Sequence, residues 1–356
     1  MANTRIFYAN QGLYIKPVAD SGAYEFIHGV QSADDSYDLP SEPITQFGMV
    51  GAYEIADGIA TVNLNCSKVL DGCLPIGILA SEGAASAGLT SRAEKSCIFG
   101  LAVYPSDLDY VSGTPTRVIE YSGMQMTNWS FEFNVDGAFT ESMSFEGNYA
   151  EWALGAVAKY GTFPSNPTAS GTEEPCALTA CSGGVQFREN LRFTGVYPTL
   201  LPTFIPGVSS SGTITYSGSC PSVPIQSVSV SVDLSREQVN QLGCKNAFAR
   251  YPTYPVDVTT EISIFAQSGH NLEVTELGAY TVGCERTNAP SARLRFATDS
   301  GLTIDLGTKN KLTSVTQTFG DTGGTNGTYT LSFTNKSVMS VFHVNDPSSL
   351  VYAGSP

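Results

Sequence analysis

The stretch IQSVSVSVDLSREQVNQLG, residues 225–243, is a near copy of VQSADDSYDLPSEPITQFG, residues 30–48. The two align without a gap at an offset of 195 (225 − 30). The identical positions are Gln31/Gln226, Ser32/Ser227, Ser36/Ser231, Asp38/Asp233, Leu39/Leu234, Glu42/Glu237, Gln46/Gln241 and Gly48/Gly243. Solenoid and propeller units recur at roughly 20 to 50 residues, so this long period predicts two related domains in tandem.

Both copies begin with a strict alternation of side chains. In the second copy Val228, Val230 and Val232 alternate with serines, and in the first copy Asp34 and Asp38 fall on the polar side. A period of two predicts a strand with one buried face and one solvated face. We therefore expect the acids and hydroxyls of both copies to lie on a wet sheet face.

A connection longer than a tight turn follows each strand, over residues 40–48 and 235–243. Pro40 and Pro43 disfavour a long helix in the first connection. In the second connection Ser235 with Gln238 fits a capped helical turn. Return strands are predicted at 61–67 and 256–265, and connections of this length are frequently functional.

A second hairpin is predicted for residues 118–147. Trp129, Phe131 and Phe133 alternate with polar residues before Asp136-Gly137, and Asp-Gly between alternating apolar runs is a strong hairpin signal. A weaker counterpart occupies residues 312–333 at an offset of 186 (312 − 126). Residues 74–80, after the turn Leu70-Asp71-Gly72, predict a short helix.

Length and composition fit two β domains. The chain has 356 residues, of which only 14% are charged, and Gly, Ser, Thr, Tyr, Phe and Val are prominent. This usage is typical of many short strands joined by turns. We predict an all-β fold with a first domain at 1–165, a linker rich in Pro, Ser and Gly at 166–190, and a second domain at 191–356.

Charge and hydropathy exclude several functions. The formal net charge is −15, from 33 acidic and 18 basic residues, which disfavours a protein that grips nucleic acid. The start lacks a signal-peptide core, and no stretch approaches the ~20 apolar residues of a membrane span, so we expect a soluble protein without a membrane anchor. The eight cysteines are expected to be free, mostly buried thiols, with Cys176 and Cys181 as the exceptions.

No residue pattern predicts catalysis or cofactor binding. His28, His270 and His343 are far apart, and the paired spacings of metal ligands are missing. The nucleophile-elbow and phosphate-loop patterns are missing as well. Carboxylates along one strand, such as Asp257 and Glu261, favour a solvated sheet face over an acid–base pair or a calcium site. We therefore expect no catalytic, cofactor-binding or metal residues, no cofactor and no enzymatic activity.

Residues 30–80 carry a resemblance to the tail tube (major tail) proteins of tailed bacteriophages. The pattern is a strand that begins Val-Gln-Ser, a loop that ends Gln-Phe-Gly, a further strand, and Leu-Asp-Gly before a short apolar helix. Residues 225–266 repeat its first part, with Ile-Gln-Ser and Gln-Leu-Gly, but the second copy lacks an evident Leu-Asp-Gly helix.

The resemblance implies two tandem β-sandwich or barrel domains with long hairpins and short helices. It also implies a virion tail protein, assembled in the host cytoplasm, whose rings stack into a tube for genome ejection. An acidic wall would let DNA slide without specific binding. The channel-lining candidates are Asp34, Asp38, Glu132, Asp136, Asp233, Asp257 and Glu261. The inter-ring loop candidates are Glu42, Gln46, Gly48, Glu237, Gln241 and Gly243.

The duplication makes a prediction about stoichiometry. Family rings commonly hold six barrels, so three chains with two barrels each would form a ring with pseudo-sixfold symmetry. A hexamer is the alternative if the second half decorates the outside. The expected partners are the chain itself, the tail terminator, the tape measure, the baseplate or tip and a sheath.

Two other functions remain open at this point. The first is another ring-forming tail component, such as a tail terminator, distal tail or baseplate protein, which would occur in one or a few rings. The second is a glycan-binding β-sandwich adhesin, which would bind sugars through exposed aromatic residues and form no filaments.

Overall fold

The computed structural model describes residues 6, 8–17, 24–105, 113–164, 184–217, 220–244, 246–266, 291–318 and 327–344. Within these ranges strands dominate, and the helical segments are short. They are the α-helices Ile76–Ala80 (α1) and Leu89–Ala93 (α2) and the 3-10 turns Tyr8–Asn10 and Arg188–Asn190. This architecture confirms the all-β prediction, and α1 confirms the predicted short helix.

The strands of the N-terminal half are β1 (Gln11–Pro17), β2 (Glu25–Phe26), β3 (Val30–Asp38), β4 (Ser41–Thr45), β5 (Ala52–Asp57), β6 (Thr61–Val69), β7 (Ser96–Val103), β8 (Arg117–Asn134), β9 (Thr140–Gly147), β10 (Tyr149–Leu154), β11 (Val157–Ala158) and β12 (Gly161–Thr162). Those of the C-terminal half are β13 (Tyr216–Ser217), β14 (Cys220–Pro221), β15 (Ile225–Asp233), β16 (Arg236–Val239), β17 (Ala249–Pro252), β18 (Asp257–Phe265), β19 (Ser291–Ala292), β20 (Arg295–Ala297), β21 (Leu302–Asp305), β22 (Asn310–Thr318), β23 (Thr328–Lys336) and β24 (Ser340–His343).

The largest sheet contains two four-strand units with the same strand order. Unit 1 is β3-β6-β9-β8, and unit 2 is β15-β18-β23-β22. Every pairing in both units is antiparallel, and β8 pairs with β15, so the two units form one continuous run of hydrogen-bonded strands. The duplication is therefore structural, although the limits of the two predicted domains stay a prediction.

Irregularities in the pairing register recur at equivalent places in the two units. The β3–β6 pairing shifts between Val30 and Ser32, and the β15–β18 pairing shifts between Ile225 and Ser227, at the offset of 195 (227 − 32). The β8–β9 and β22–β23 pairings also shift at equivalent points, at an offset of 186 (314 − 128). Bulges re-aim a strand at a defined position. The antiparallel pairing of β22 with β23 confirms the two strands of the counterpart hairpin predicted at 312–333.

The core lies on one face of this run. Trp129, Phe131, Val230 and Val232 are at most 1% exposed, as their alternation with polar residues predicts. One continuous cluster of buried apolar side chains extends through both units. Burial of large aromatic and branched side chains supplies the main driving force for folding.

A buried carboxylate fastens α1 to the core of unit 1. Glu141 accepts hydrogen bonds from the backbone N–H groups of Ile76 (2.7 Å) and Gly77 (3.1 Å) and from Trp129 Nε1 (2.8 Å). Burial raises the pKa of Glu141, and the nearby Lys68 ammonium opposes that rise. Lys68 is itself paired with Asp71 at 3.2 Å. A buried charge is tolerated when it is paired and hydrogen-bonded, and both conditions hold here.

The two predicted connections are hairpin arms. Arm 1 (residues 40–58) contains β4 and β5, and arm 2 (residues 235–253) contains β16 and β17. Equivalent backbone hydrogen bonds close the bases, from Gly58 to Pro40 (2.7 Å) and from Thr253 to Ser235 (2.9 Å). The helical turn predicted at Ser235 is wrong, because 236–239 is extended and pairs with 249–252. Hydrogen bonding between the two strands of the arm outweighs the local capping preference of Ser235.

The cysteine prediction needs one correction. Cys66 and Cys97 are free and buried, and Cys244 is free and exposed. Cys73 is disulfide-bonded, so the expectation of a free thiol is wrong there. Cys176, Cys181, residues 319–326 within the predicted counterpart hairpin and most of the predicted linker lie outside the described residues.

Candidate functional site: a polar sheet face with two open edges

The face opposite the core carries six of the seven predicted channel-lining residues. Hydroxyl and amide side chains dominate this face, as in the cross-strand row Ser142, Ser130, Ser231 and Thr259. The exposed carboxylates lie among them on four strands: Asp34 and Asp38 on β3, Glu132 on β8, Asp233 on β15, and Asp257 and Glu261 on β18. The structure thus brings together acids that are far apart in the sequence.

Two details modify the predicted acidic wall. Asp136 lies in the exposed β8–β9 turn and not on a strand of the face. Lys336 of β23 lies opposite Asp257 and forms an exposed ion pair with it, and the exposed Lys311 of β22 lies opposite Thr334 on the same side, so two cations enter the face. The face nevertheless remains acidic overall, and a surface of this sign repels phosphate groups.

The run of eight strands ends in two open edges. Among the described residues β3 pairs only with β6, and β22 pairs with β23 and, at Asn310 and Lys311, with the two-residue β19. Tyr37 and Leu39 at the first edge are 51% and 64% exposed. Their equivalents Val232 and Leu234, which lie inside the run, are at most 1% exposed. Open strands with exposed apolar side chains favour pairing with another chain.

The β8–β15 junction within the chain shows how one unit joins the next. Ser231 lies opposite Ser130, and Val232 lies opposite Trp129. Backbone hydrogen bonds at the two ends, Leu234 to Thr127 (2.7 Å) and Val135 to Gln226 (3.1 Å), fix the register. Because hydrogen-bonded and non-hydrogen-bonded pairs alternate in antiparallel sheets, Ser231 and Ser130 form a non-hydrogen-bonded pair.

Arm 2 reinforces this junction by docking on unit 1. The Arg236 guanidinium donates to the backbone oxygens of Met126 and Ala93, each at 2.7 Å. Arg250 pairs with Glu146 at 2.8 Å and donates to Asn148. Burial lowers the pKa of Arg236 to about 10, which leaves the group charged at neutral pH. The junction is therefore a backbone ladder with an arm fastened beside it.

The arm tips carry the predicted inter-ring residues. Glu42 and Glu237 lie on β4 and β16, and Gln46, Gly48, Gln241 and Gly243 form the two turns. Gly48 and Gly243 have φ of 90° and 87°, a conformation that glycine adopts without a steric penalty. Phe47 and Leu242, directly before these glycines, are 105% and 99% exposed. Each tip thus presents a protruding apolar side chain, and its contact with an adjacent ring stays a prediction.

Sequence reasoning missed the residues that hold the junction. Arg236 and Arg250 occupy positions where the first copy has Ser41 and Ile55, at the same offset of 195 (236 − 41). A comparison of the two copies that looks only for identical residues misses these positions, because here the difference between the copies indicates the function. Arginines present in only one arm mark the arm that is docked.

The described part of the chain contains neither a candidate metal cluster nor a candidate membrane-spanning helix. No cluster of three or more His, Cys, Asp or Glu side chains there has the geometry to hold a metal ion. Within the same residues, no helix combines the length and apolar character that a membrane crossing requires.

Comparisons with known proteins give only a remote likeness. No protein-family model matches the sequence, and no curated protein matches it either. A chain of the sixfold-symmetrised cryo-EM structure of the anti-feeding prophage (AFP) baseplate is 8% identical with a TM-score of 0.29, covering 43% of this chain and 97% of the other. A chain of the sheath–tube complex of an extracellular contractile injection system (PVC) in the extended state is 12% identical with a TM-score of 0.30, covering 43% and 94%. Likeness at this level carries no argument about function, which must be argued from the geometry of this chain.

Proposed function

We propose that this protein is a structural, non-enzymatic tail tube component of a tailed bacteriophage, whose copies join edge to edge into rings. The observation that carries the proposal is the equivalence between the open edges and the internal junction. β3 is the counterpart of β15, and β22 is the counterpart of β8, so the two free edges of the chain are the two halves of a junction that the chain already forms once.

The internal junction supplies the register between chains. Applying the offsets of 195 and 186 to the opposed pair Ser231/Ser130 places Ser36 opposite Thr316 of the next chain. The same operation places Tyr37 opposite Val315 and directs the Leu39 N–H to the Thr313 carbonyl oxygen of the next chain. Antiparallel pairing of this kind satisfies the unpaired backbone groups of both edges.

Repetition of the junction yields a ring or an open filament of chains, depending on whether the rotation closes. Closure satisfies every edge at once, and three chains would supply six units. The polar face of the run then lines one side of the ring. Its acids, Asp34, Glu132 and Asp233 among them, would keep passing DNA from binding to the wall, since no cationic surface replaces the counterions of the phosphates.

Stacked rings would form a tube in the virion tail, with assembly in the host cytoplasm. The partners of such a tube are further copies of this chain and the other tail proteins: the terminator, the tape measure, the baseplate or tip and a sheath. A terminator, distal tail or baseplate protein would show the same lateral junction but would occur in one or a few rings.

A disulfide test addresses the register directly. Directly opposed residues in a non-hydrogen-bonded pair have Cα atoms about 4.5 Å apart, which a disulfide can bridge. The double variant Ser36→Cys with Thr316→Cys is expected to form covalent trimers on mild oxidation. Ser130→Cys with Ser231→Cys is the matched control within one chain, and Ser36→Cys with Ser314→Cys is the control shifted by two residues.

Electron microscopy of the unmodified protein completes the test. Hollow rings or tubes with threefold symmetry are expected, with six similar units around the channel. Particles that stay monomeric at high concentration, together with absent cross-links between chains, would contradict the proposal. True sixfold symmetry at every radius would exclude the trimer and favour the hexamer.

A further inference from the structure

The two arms differ in their surroundings, although they have the same fold. Arm 2 is fastened to unit 1, and Arg250 in it is 4% exposed. In arm 1 every residue from 40 to 55 is exposed, and Ile55, the counterpart of Arg250, is 63% exposed. An arm of the same shape that docks on none of the described residues indicates that its docking surface belongs to another molecule.

The equivalent docking surface for arm 1 lies on unit 2, at the open edge of the run. The offset of 188 (330 − 142) between β9 and β23 converts Glu146 to Thr334 and Asn148 to Lys336. The offset of 186 converts Gln125, which accepts from Arg236, to Lys311. The pairing of β22 with β3 of the next chain would bring arm 1 of that chain to these residues.

The charges of the two junctions have opposite signs. Arm 2 contains three basic residues and one acid, a net charge of +2 (3 − 1), and it docks beside Glu146. Arm 1 contains three acids and no basic residue, a net charge of −3, and the surface on unit 2 contains Lys311 and Lys336, of which Lys336 also pairs with Asp257 of the same unit. At the junction between chains, Ile55 takes the place of Arg250, and the half-buried Thr334 takes the place of Glu146. An aliphatic side chain and a methyl group thus replace the ion pair.

We propose that arm 1 docks on unit 2 of the adjacent chain, with Ile55 against Thr334 and Asp57 facing Lys311, and that the exchange of charges fixes the alternating order of units around the ring. This inference rests on the proposed function. Asp57 lies opposite Ser41 in the arm register and on the same strand face as Ile55, the face by which arm 2 docks.

This difference in charge destabilises the two incorrect arm–unit pairings. If arm 2 met unit 2, Arg250 would face Thr334 and Lys336, so a buried guanidinium would lose its carboxylate. If arm 1 met unit 1, Ile55 would cover Glu146 and leave that carboxylate without its arginine. An unpaired charge in a contact is costly, so each arm discriminates between the two units.

A charge-restoration cycle tests the inference. Ile55→Arg and Thr334→Glu each place one half of the in-chain ion pair at the junction between chains, and the double variant recreates the whole pair. Each single variant is expected to raise the protein concentration for half-maximal ring formation by about tenfold or more, and the double variant to return to within about threefold of the unmodified protein. Sedimentation velocity measures the fraction of chains in rings at each concentration.

Ala56→Arg is the matched control, because Tyr251, its counterpart in the docked arm, remains 56% exposed. This variant is expected to form rings like the unmodified protein, and thermal unfolding of dilute monomers checks that all variants fold. Single variants that form rings normally, or a double variant no better than the weaker single one, would overturn the docking of arm 1 while ring formation stands. Failure of the unmodified chain to form rings would overturn the proposed function and this inference together.

Discussion

Leu39 and Leu234 occupy equivalent positions on the two sides of the proposed assembly, and their substitution separates folding from association. Leu234 is fully buried where unit 2 meets unit 1. Leu39 is 64% exposed in the single chain and is expected to become buried when β3 pairs with β22 of the next chain. The same change, Leu to Ala, should therefore affect different equilibria at the two sites.

The magnitude for Leu39→Ala follows from the exposed fraction. Full burial of a leucine side chain contributes about 1.5–3 kcal/mol, so burial of the remaining two thirds contributes about 1–2 kcal/mol at each junction. Three junctions in a trimeric ring give about 3–6 kcal/mol for the ring. In a monomer–trimer equilibrium the midpoint concentration varies with the square root of the dissociation constant, which predicts an increase of about 10- to 150-fold.

The assay combines sedimentation velocity over a concentration series with thermal unfolding of dilute protein. Leu39→Ala should raise the midpoint concentration of ring formation and leave the unfolding temperature of the monomer unchanged. Leu234→Ala should lower monomer stability by about 2–5 kcal/mol, because it leaves a cavity in the core. Equal midpoint concentrations for Leu39→Ala and the unmodified protein would refute the proposed pairing of β3 with β22.

Three further predictions concern the core and the polar face. Burial raises the pKa of Glu141, so the contribution of this group to stability is complete below its ordinary pKa of 4.5 and is lost as pH rises through its pKa in the folded protein. The stability of Glu141→Gln relative to the unmodified protein should therefore improve from pH 4 to pH 8 in urea titrations. Gly77→Ala should cost about 1–3 kcal/mol of unfolding free energy, since the added Cβ would lie 2.4 Å from the Trp129 ring, and an unchanged urea midpoint would contradict the close packing. The double variant Asp34→Lys with Asp233→Lys should make assembled rings bind duplex DNA, with an affinity for DNA that falls steeply as the salt concentration rises. If this variant binds no DNA in a filter assay, the polar face is not the channel wall.

Much of the secondary structure could be predicted because its signals are local. The valines of β15, the aromatic residues of β8 and the Asp-Gly turn after it each report a period or a turn chemistry within a few residues. The arms were harder to predict, because Pro40, Pro43 and Ser235 carry capping and breaking signals that favour loops. Pairing between 236–239 and 249–252 overrides those signals.

The candidate site could be predicted only in part. Alternation placed Asp34, Asp233 and Glu261 on a polar face, and the structure brings these strands into one sheet. Alternation could not separate Asp136 from that face, since the residue follows the last strand position by only two residues. The roles of Arg236 and Arg250 depend on what lies across the junction, which the neighbouring sequence does not encode.

Local residue patterns are enough to show that the chain is built from strands, that residues 30–48 recur at 225–243, and which side of each strand is polar. A strand's own residues specify its two faces, since side chains alternate along it. The pairing of β8 with β15, the edges of β3 and β22 left open among the described residues, and the docking of one arm but not the other are set by the three-dimensional fold. Edge pairing joins backbone groups from distant parts of the chain, and backbone groups are the same in every residue except proline, so the choice of partner follows from the packing of the whole sheet.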